Sequence, residues 1–402
     1  MKREMKPAFM LNQGLDYGKN ILEEGPLHSR GMYIDMNFGK IRYLMDQAIA
    51  EHEVPCSDIA ILYKGKVVYR YMNGTIDDEK KVPIKGDELY FLYSATKPIT
   101  CTAAMQLVEA GQMNLEDKVS DYISEFQEMW VKSGAGLKRA EKPITIQNLF
   151  SMTSGMNYDL NNKSILAQIE KNPNSSTLEM VRAMAGEPLK FEPGERFKYS
   201  FSHDVLAAVV EVVSGMSFGE YLQKHIFDVC GMTRTGFVLN EEIKDKMCSQ
   251  YIYDAQTGTA SLKGKWNQFI LTPAYQSGGA GLISCVEDYA KFVAEMSNGN
   301  RLLKPESIDR MRANQLGEQA YRDFQGCKFG YTYGLGVRTD AFGRYAHKGE
   351  FGWDGAAGSY VMIDPDNHIG VFYATHICSH GEYLYKQLHQ QIRDEVYRGI
   401  RA

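Results

Sequence analysis

The chain has 402 residues, 44% apolar and 24% charged, enough for a large core and for one big domain or two medium ones. A formal charge of −5 and a sequence pI near 6.0 leave no basic stripe, which argues against nucleic acid as a partner, and acidic runs are absent too. No apolar run follows Met1-Lys2-Arg3-Glu4-Met5-Lys6-Pro7 and no apolar stretch is long enough to cross a bilayer, so a cytoplasmic protein is expected.

Residues 1–27 show no clear period and read as an N-terminal extension over the surface. From Asn37 to Glu51, Ile41, Leu44, Met45, Ala48 and Ile49 recur at helical spacing. Ile59–Tyr63 and Val67–Tyr71 flank a turn at Gly65 and read as a β-hairpin. A strand is expected over Tyr90–Tyr93, leading into a helix that begins near Ser94 and ends at Gly111. Residues 118–275 lack long β runs and carry helix punctuation: Ser176-x-x-Glu179 opens one helix, and Asp204–Val213, apolar almost throughout, closes at Gly215. Beyond the glycine-rich Gly278–Ser284 a helical segment follows, then β patterning at Gly334–Val337, Gly358–Ile363 and Ile369–Thr375, the last two joined by a tight turn at Asp364–Asn367. Leu384, Leu388, Ile392 and Val396 stack at i+4 in a C-terminal helix. This order implies a sheet fed from both ends of the chain, with an α/β sheet domain formed by 28–117 and 276–402 and a helical domain at 118–275 inserted between them. A cleft between two lobes is expected, with Ser94 on the boundary.

Chemistry concentrates at Ser94-Ala95-Thr96-Lys97, the chain's single Ser-x-x-Lys. Residues at i and i+3 share a helical face, so the amine can take the proton of the hydroxyl and make it a covalent nucleophile. Half-neutralising a lysine at pH 7 needs a drop of about three units from ~10.4, which only desolvation can supply in the main. Tyr199, in Tyr199-Ser200-Phe201, follows the turn Glu192-Pro193-Gly194-Glu195, a junction that can present a phenol to a cleft. Trp353-Asp354-Gly355-Ala356-Ala357-Gly358-Ser359 is a glycine-rich edge along which a ligand could approach the backbone.

Two other patterns read as structure. Gly215-Met216-Ser217-Phe218-Gly219 matches the nucleophile elbow Gly-x-Ser-x-Gly but follows a helix instead of a strand, and Ser217 with Glu220 makes a capping box. His376-x-Cys378-x-His380 has no acidic partner nearby, so no metal site is expected. The seven cysteines (56, 101, 230, 248, 285, 327, 378) are odd in number and lack a Cys-x-x-Cys pair, which favours reduced thiols.

Taken in order, these motifs resemble the serine β-lactamase and penicillin-binding protein superfamily, above all its class C β-lactamase-like branch with the family VIII carboxylesterases. The resemblance runs from about residue 30 to the C-terminal helix and includes Ile144–Gly155, Glu192–Ser200, the double glycine at 278–281 and Trp353–Asp364. It implies an α/β (α+β) fold of the β-lactamase/transpeptidase type: an antiparallel sheet flanked by N- and C-terminal helices, with an inserted, mostly helical lobe. It also implies Ser94 as nucleophile, Lys97 and Tyr199 as the proton-handling pair, and the backbone N–H groups of Ser94 and Ala356 as oxyanion hole. Which of Lys97 and Tyr199 is the base stays open. No metal or organic cofactor is required.

Where the lactamase pattern has Tyr-x-Asn, this chain has Phe201, and where lactamases carry a lysine for the substrate carboxylate it has Trp353 and then Asp354. Phe201, Trp353 and Gly355 are therefore expected to line a site for small neutral esters, which makes a carboxylesterase the leading expectation. His347, in His347-Lys348-Gly349, is a second placement of the third motif and another candidate for the cleft. The rivals are a β-lactamase or D-alanyl-D-alanine carboxypeptidase, and a catalytically silent binding or scaffold protein of the same fold. The expected partner is a small ester or amide; the sequence does not fix an oligomeric state.

Overall fold

The computed structural model describes residues 36–401, apart from 78, 80, 135, 326–330, 341, 342, 344 and 345. The expected extension over 1–27 and Cys327 lie outside the described residues.

The described residues open with the helix Gly39–Glu51, which buries Ile41, Leu44, Met45 and Ala48. Strands β1 (Cys56–Tyr63) and β2 (Lys66–Gly74) form the expected hairpin. Lys64 and Gly65, at φ +51° and +73°, make the tight turn whose twist suits such a pair. β3 (Tyr90–Phe91) stops two residues earlier than its apolar run, because Tyr93 adopts φ +46°. The helix Thr96–Glu109 follows directly.

The middle is largely helical, as expected, with helices Ile146–Phe150, Lys163–Lys171, Thr177–Met184 and Ser202–Ser214. It also holds two hairpins absent from the sequence reading: β4 (Trp130–Ser133) with β5 (Gly136–Arg139), and β6 (Tyr251–Asp254) with β7 (Thr259–Leu262). β8 (Ile283–Ser284) pairs with β3, and the helix Val286–Asn298 comes next. The expected strand at Gly334–Val337 is instead the bend between β9 (Thr332–Tyr333) and β10 (Arg338–Thr339), where Gly336 takes φ +81°. β11 (Phe351–Asp354), β12 (Tyr360–Asp364), β13 (Ile369–Ala374) and β14 (Ile377–Cys378) precede the C-terminal helices, the last being His389–Arg401.

Seven strands form an antiparallel sheet in the order β2-β1-β13-β12-β11-β10-β9, so the chain's two ends meet where Ile59 faces Tyr373. Its central strands are buried on both faces, which explains why β1, β12 and β13 read as apolar runs without alternation. One face carries Ile59, Ile61, Met362 and Val371 under Ile41 and Met45 of the first helix and Leu388, Ile392 and Val396 of the C-terminal segment. The other carries Ala60, Leu62, Val361 and Phe372 under the helix Val286–Asn298, whose Tyr289 stacks on Phe372 at 4.1 Å. The mixed α/β architecture with an antiparallel sheet and helices from both termini is the expected one. No single helix among the described residues is long and apolar enough to cross a membrane.

Candidate active site

Ser94 sits in a one-turn 3₁₀ segment, Tyr93–Ala95, between β3 and the helix Thr96–Glu109. The left-handed Tyr93 is an unfavourable conformation for a residue with a Cβ, costing of order 1–3 kcal/mol, and persists only where surroundings fix it. They do: its phenol donates to Gln250 Oε1 at 2.5 Å and accepts from Lys263 Nζ at 2.8 Å, and Leu92 N donates to Leu282 O at 2.9 Å. The sharp reversal at Tyr93 is what turns Ser94 out of the strand.

Lys97 comes one turn on and is fully buried. Its Nζ donates to Ser94 Oγ at 3.3 Å and to the Gly279 carbonyl at 2.6 Å, and lies 4.4 Å from the Tyr199 ring centre. Burial drives its pKa from 10.5 down to about 7, against the opposing pull of Asp204 and Cys101. The desolvation that the sequence argument required is therefore present.

Tyr199 Oη donates to Ser94 Oγ at 2.7 Å, so the hydroxyl is bracketed by the amine and the phenol. Burial pushes the phenol well above its ordinary range, only partly offset by its hydrogen bonds with Ser94 and Trp353. The segment Ile144–Gly155 and the residues just after it hold this tyrosine in place: Lys198 N donates to Met152 O at 2.9 Å, Gly194 N to Thr153 O at 2.8 Å and Phe201 N to Asn157 O at 3.1 Å. Gly155 has φ +84°, and a Cβ there would lie 2.4 Å from Phe191 O, so glycine is needed for the two segments to meet.

Trp353 is in the site but only 4% exposed. Its ring stacks on Tyr199 at 5.7 Å and 11°, and its indole N–H donates to Tyr199 Oη at 3.2 Å. Alternation along β11 sends Asp354 to the opposite face, where its carboxylate pairs with Arg338 Nη1 at 3.4 Å and His389 Nδ1 at 3.2 Å. Its charge is thus met by the Arg338 guanidinium and a hydrogen bond with the His389 ring, on the face turned from Trp353. Phe201, 3% exposed, packs edge-on against Tyr158 at 4.8 Å, and Tyr158 in turn stands edge-on to Tyr199 at 5.5 Å. Gly355 presses against the segment before Ser94: a Cβ there would lie 2.3 Å from Leu92 O.

His347 is placed elsewhere. Its ring packs on Tyr397 of the C-terminal helix at 4.6 Å, and Tyr397 bonds Asp364 at the end of β12 remote from Gly355. His376, Cys378 and His380 diverge: His376 Nδ1 bonds Cys248 O, Cys378 Sγ bonds Gln250, and His380 Nε2 bonds His52 O. Among the described residues no cluster of three His, Cys, Asp or Glu side chains could hold a metal, and the six described cysteines are free thiols. Gly215 ends its helix at φ +70° and Ser217 with Glu220 forms the capping box.

The sequence reading missed Asp204. This buried carboxylate accepts from Tyr275 Oη at 2.7 Å, Ser277 Oγ at 2.6 Å and Gly279 N at 3.3 Å, the same Gly279 whose carbonyl holds Lys97. Burial raises its pKa, which weakens the anion that would otherwise favour charged Lys97. A Cβ on Gly279 would lie 2.6 Å from Asp204 Oδ2, so the double glycine is what allows this approach.

A strained turn presenting a serine, with a desolvated lysine and a phenol on its oxygen, defines a hydrolase site of the serine type. The Beta-lactamase family model matches residues 41–382, and the chain belongs to that family. Esterase EstB of Burkholderia gladioli is 28% identical over 378 residues, covering 88% of this chain and 93% of EstB. The lovastatin esterase of Penicillium rubens is 28% identical over 372 residues, covering 84% and 93%. Among solved structures, EstCE1, described as a hydrolase with promiscuous acyltransferase activity, superposes with a TM-score of 0.75 at 25% identity, covering 89% of this chain and 97% of its own. The protein is a serine hydrolase of the β-lactamase fold.

Proposed function

We propose that the protein is a carboxylesterase that hydrolyses small neutral esters through an acyl-enzyme on Ser94. The observation that carries this reading is the bracketing of Ser94 Oγ by Lys97 Nζ at 3.3 Å and Tyr199 Oη at 2.7 Å, with the lysine brought to about 7. At neutral pH about half the lysines are neutral and able to accept the serine proton, while the phenol stays protonated. Lys97 is therefore the base and Tyr199 the acid. Ser94 Oγ bonds to the ester carbonyl carbon as its proton passes to Lys97, and the tetrahedral oxyanion is held by the N–H groups of Ser94 and Ala356. Collapse breaks the bond to the alkoxide, which leaves with the phenolic proton of Tyr199. That proton is replaced from the charged Lys97, whose Nζ lies beside the Tyr199 ring, so both groups return to their starting states. Water then attacks the acyl-enzyme with Lys97 again as base, releasing the acid.

Two features favour an ester over a β-lactam or a D-alanyl peptide. Trp353 stands where a lysine would attract a substrate carboxylate, and Asp354 is turned to the far face and paired there. EstB and the lovastatin esterase, both named as esterases, support the same choice. The test is intact-mass analysis after incubation with p-nitrophenyl esters and with a penicillin, with Ser94→Ala alongside. We expect turnover of short neutral esters, an acyl adduct mapped to Ser94 and no turnover by Ser94→Ala. Rapid penicillin hydrolysis, or ester turnover surviving in Ser94→Ala, would refute the reading.

A further inference from the structure

The turn that follows β11 is tied to the C-terminal segment through one side chain. Tyr385 Oη donates to the Gly355 carbonyl at 2.9 Å, and Gly358 N closes the turn onto the same oxygen at 2.9 Å. No described peptide bond is cis. In a trans peptide the carbonyl and the following N–H point in opposite directions, so anchoring Gly355 O fixes the direction of the Ala356 N–H. The other side of the turn is tied to the nucleophile strand: Gly355 N donates to Ser359 O at 2.8 Å and Ser359 Oγ to Leu92 O at 3.2 Å, two residues before Ser94.

The geometry points to Tyr385 as a positioning residue that locks the Gly355–Ala356 peptide with its N–H toward the developing oxyanion. This inference rests on the acyl-enzyme reading above and adds a residue to it. Tyr385 lies in a π-type turn, Leu384–Leu388, inserted between two α-helical pieces, and such turns place a side chain where a regular helix would not. Its ring is confined by His389, at 5.6 Å, and by Gly381, where a Cβ would come within 3.0 Å of the ring. Burial and the nearby Asp354 push the phenol's pKa up, so it remains a donor throughout the range in which Lys97 titrates. A preorganised N–H is worth more to a tetrahedral anion than to a ground-state carbonyl, so loosening it should act on the transition state.

The test compares Tyr385→Phe with the unaltered enzyme, using p-nitrophenyl butyrate as substrate and phenylboronic acid as the probe that forms a tetrahedral anion on the serine. Removing an oxyanion donor outright costs about 100- to 1,000-fold, so loosening one should lower kcat by about 10- to 100-fold. KM should be unchanged and the boronate affinity should fall by a similar factor. Gly381→Ala, which presses on the ring without removing the phenol, should give a smaller loss of the same kind, and Tyr383→Phe, one helical piece away, should give none. Unchanged kcat in Tyr385→Phe, or a lower kcat with unchanged boronate affinity, would overturn the inference. Should Tyr385→Phe fail to fold, the same readouts on Gly381→Ala decide it: unchanged values overturn the inference. Turnover retained by Ser94→Ala would instead bring down the acyl-enzyme reading itself, so the two failures are distinguishable.

Discussion

Lys97 is the residue on which chemistry and stability pull in opposite directions. Unfolded, its amine titrates at the ordinary 10.5; folded, at about 7. Below pH 7 both states hold the proton, and the cost of burying a charge is fully present. Between pH 7 and 10.5 the unfolded chain binds a proton that the folded protein has shed, so stability rises with pH, and above 10.5 the cost is gone. Lys97→Met should therefore abolish turnover yet raise the thermal midpoint at pH 7. Leaving the Gly279 carbonyl without its donor offsets part of the gain, so a net stabilisation of roughly 1–3 kcal/mol is expected. Melting curves at pH 7 and pH 10 check this: the advantage should shrink at the higher pH. A lower midpoint at both would mean that the amine is not desolvated as described.

At the scale of elements, the site is a meeting of segments brought close by glycines. Ile144–Gly155 meets Glu192–Ser200 only because Gly155 sits at φ +84° against Phe191 O. Gly155→Ala should destabilise the protein by more than the roughly 1 kcal/mol of a tolerated backbone change and lower kcat by misplacing Tyr199, measurable by denaturant titration and ester kinetics. Wild-type kcat in a folded Gly155→Ala protein would separate this segment from the tyrosine. The Ser-x-x-Lys turn and the tyrosine junction were legible in the sequence because each couples a reactive residue to local punctuation. Asp204 was not: an aspartate in the first turn of a helix reads as a favourable charge at the helix N-terminus, and its partners Tyr275, Ser277 and Gly279 lie more than seventy residues on. His347 misled for a related reason. Its local pattern fitted the third motif, but β11 begins after it, and the ring goes to Tyr397. β4–β5 and β6–β7 escaped notice because four-residue, mostly exposed strands carry almost no apolar period.

For the molecule as a whole, the sheet is completed by chain from both ends, so neither end is dispensable to the core. Leu388, Ile392 and Val396 are buried against β1, β12 and β13, and each contributes roughly 1.5–3 kcal/mol. Together they approach the roughly 5–15 kcal/mol that separates a folded domain from its unfolded chain. Truncation after His380 should therefore yield protein without a cooperative melting transition, checked by circular dichroism; a cooperative melt with residual esterase activity would contradict the described packing. The same two-ended closure carries Trp353, on β11, to Tyr199 and carries the C-terminal Tyr385 to Gly355. Sheet closure and site assembly thus draw on the same strands, and Lys97 is desolvated in the structure they complete.

The most direct test of that claim is the pH dependence of kcat/KM for a neutral p-nitrophenyl ester between pH 5 and 9, with acylation of Ser94 followed by mass. If buried Lys97 is the base, the rate should climb about tenfold per pH unit below an apparent pKa near 7 and then level off. A rate that keeps rising to pH 9 without an inflection, or that is flat throughout, would contradict it.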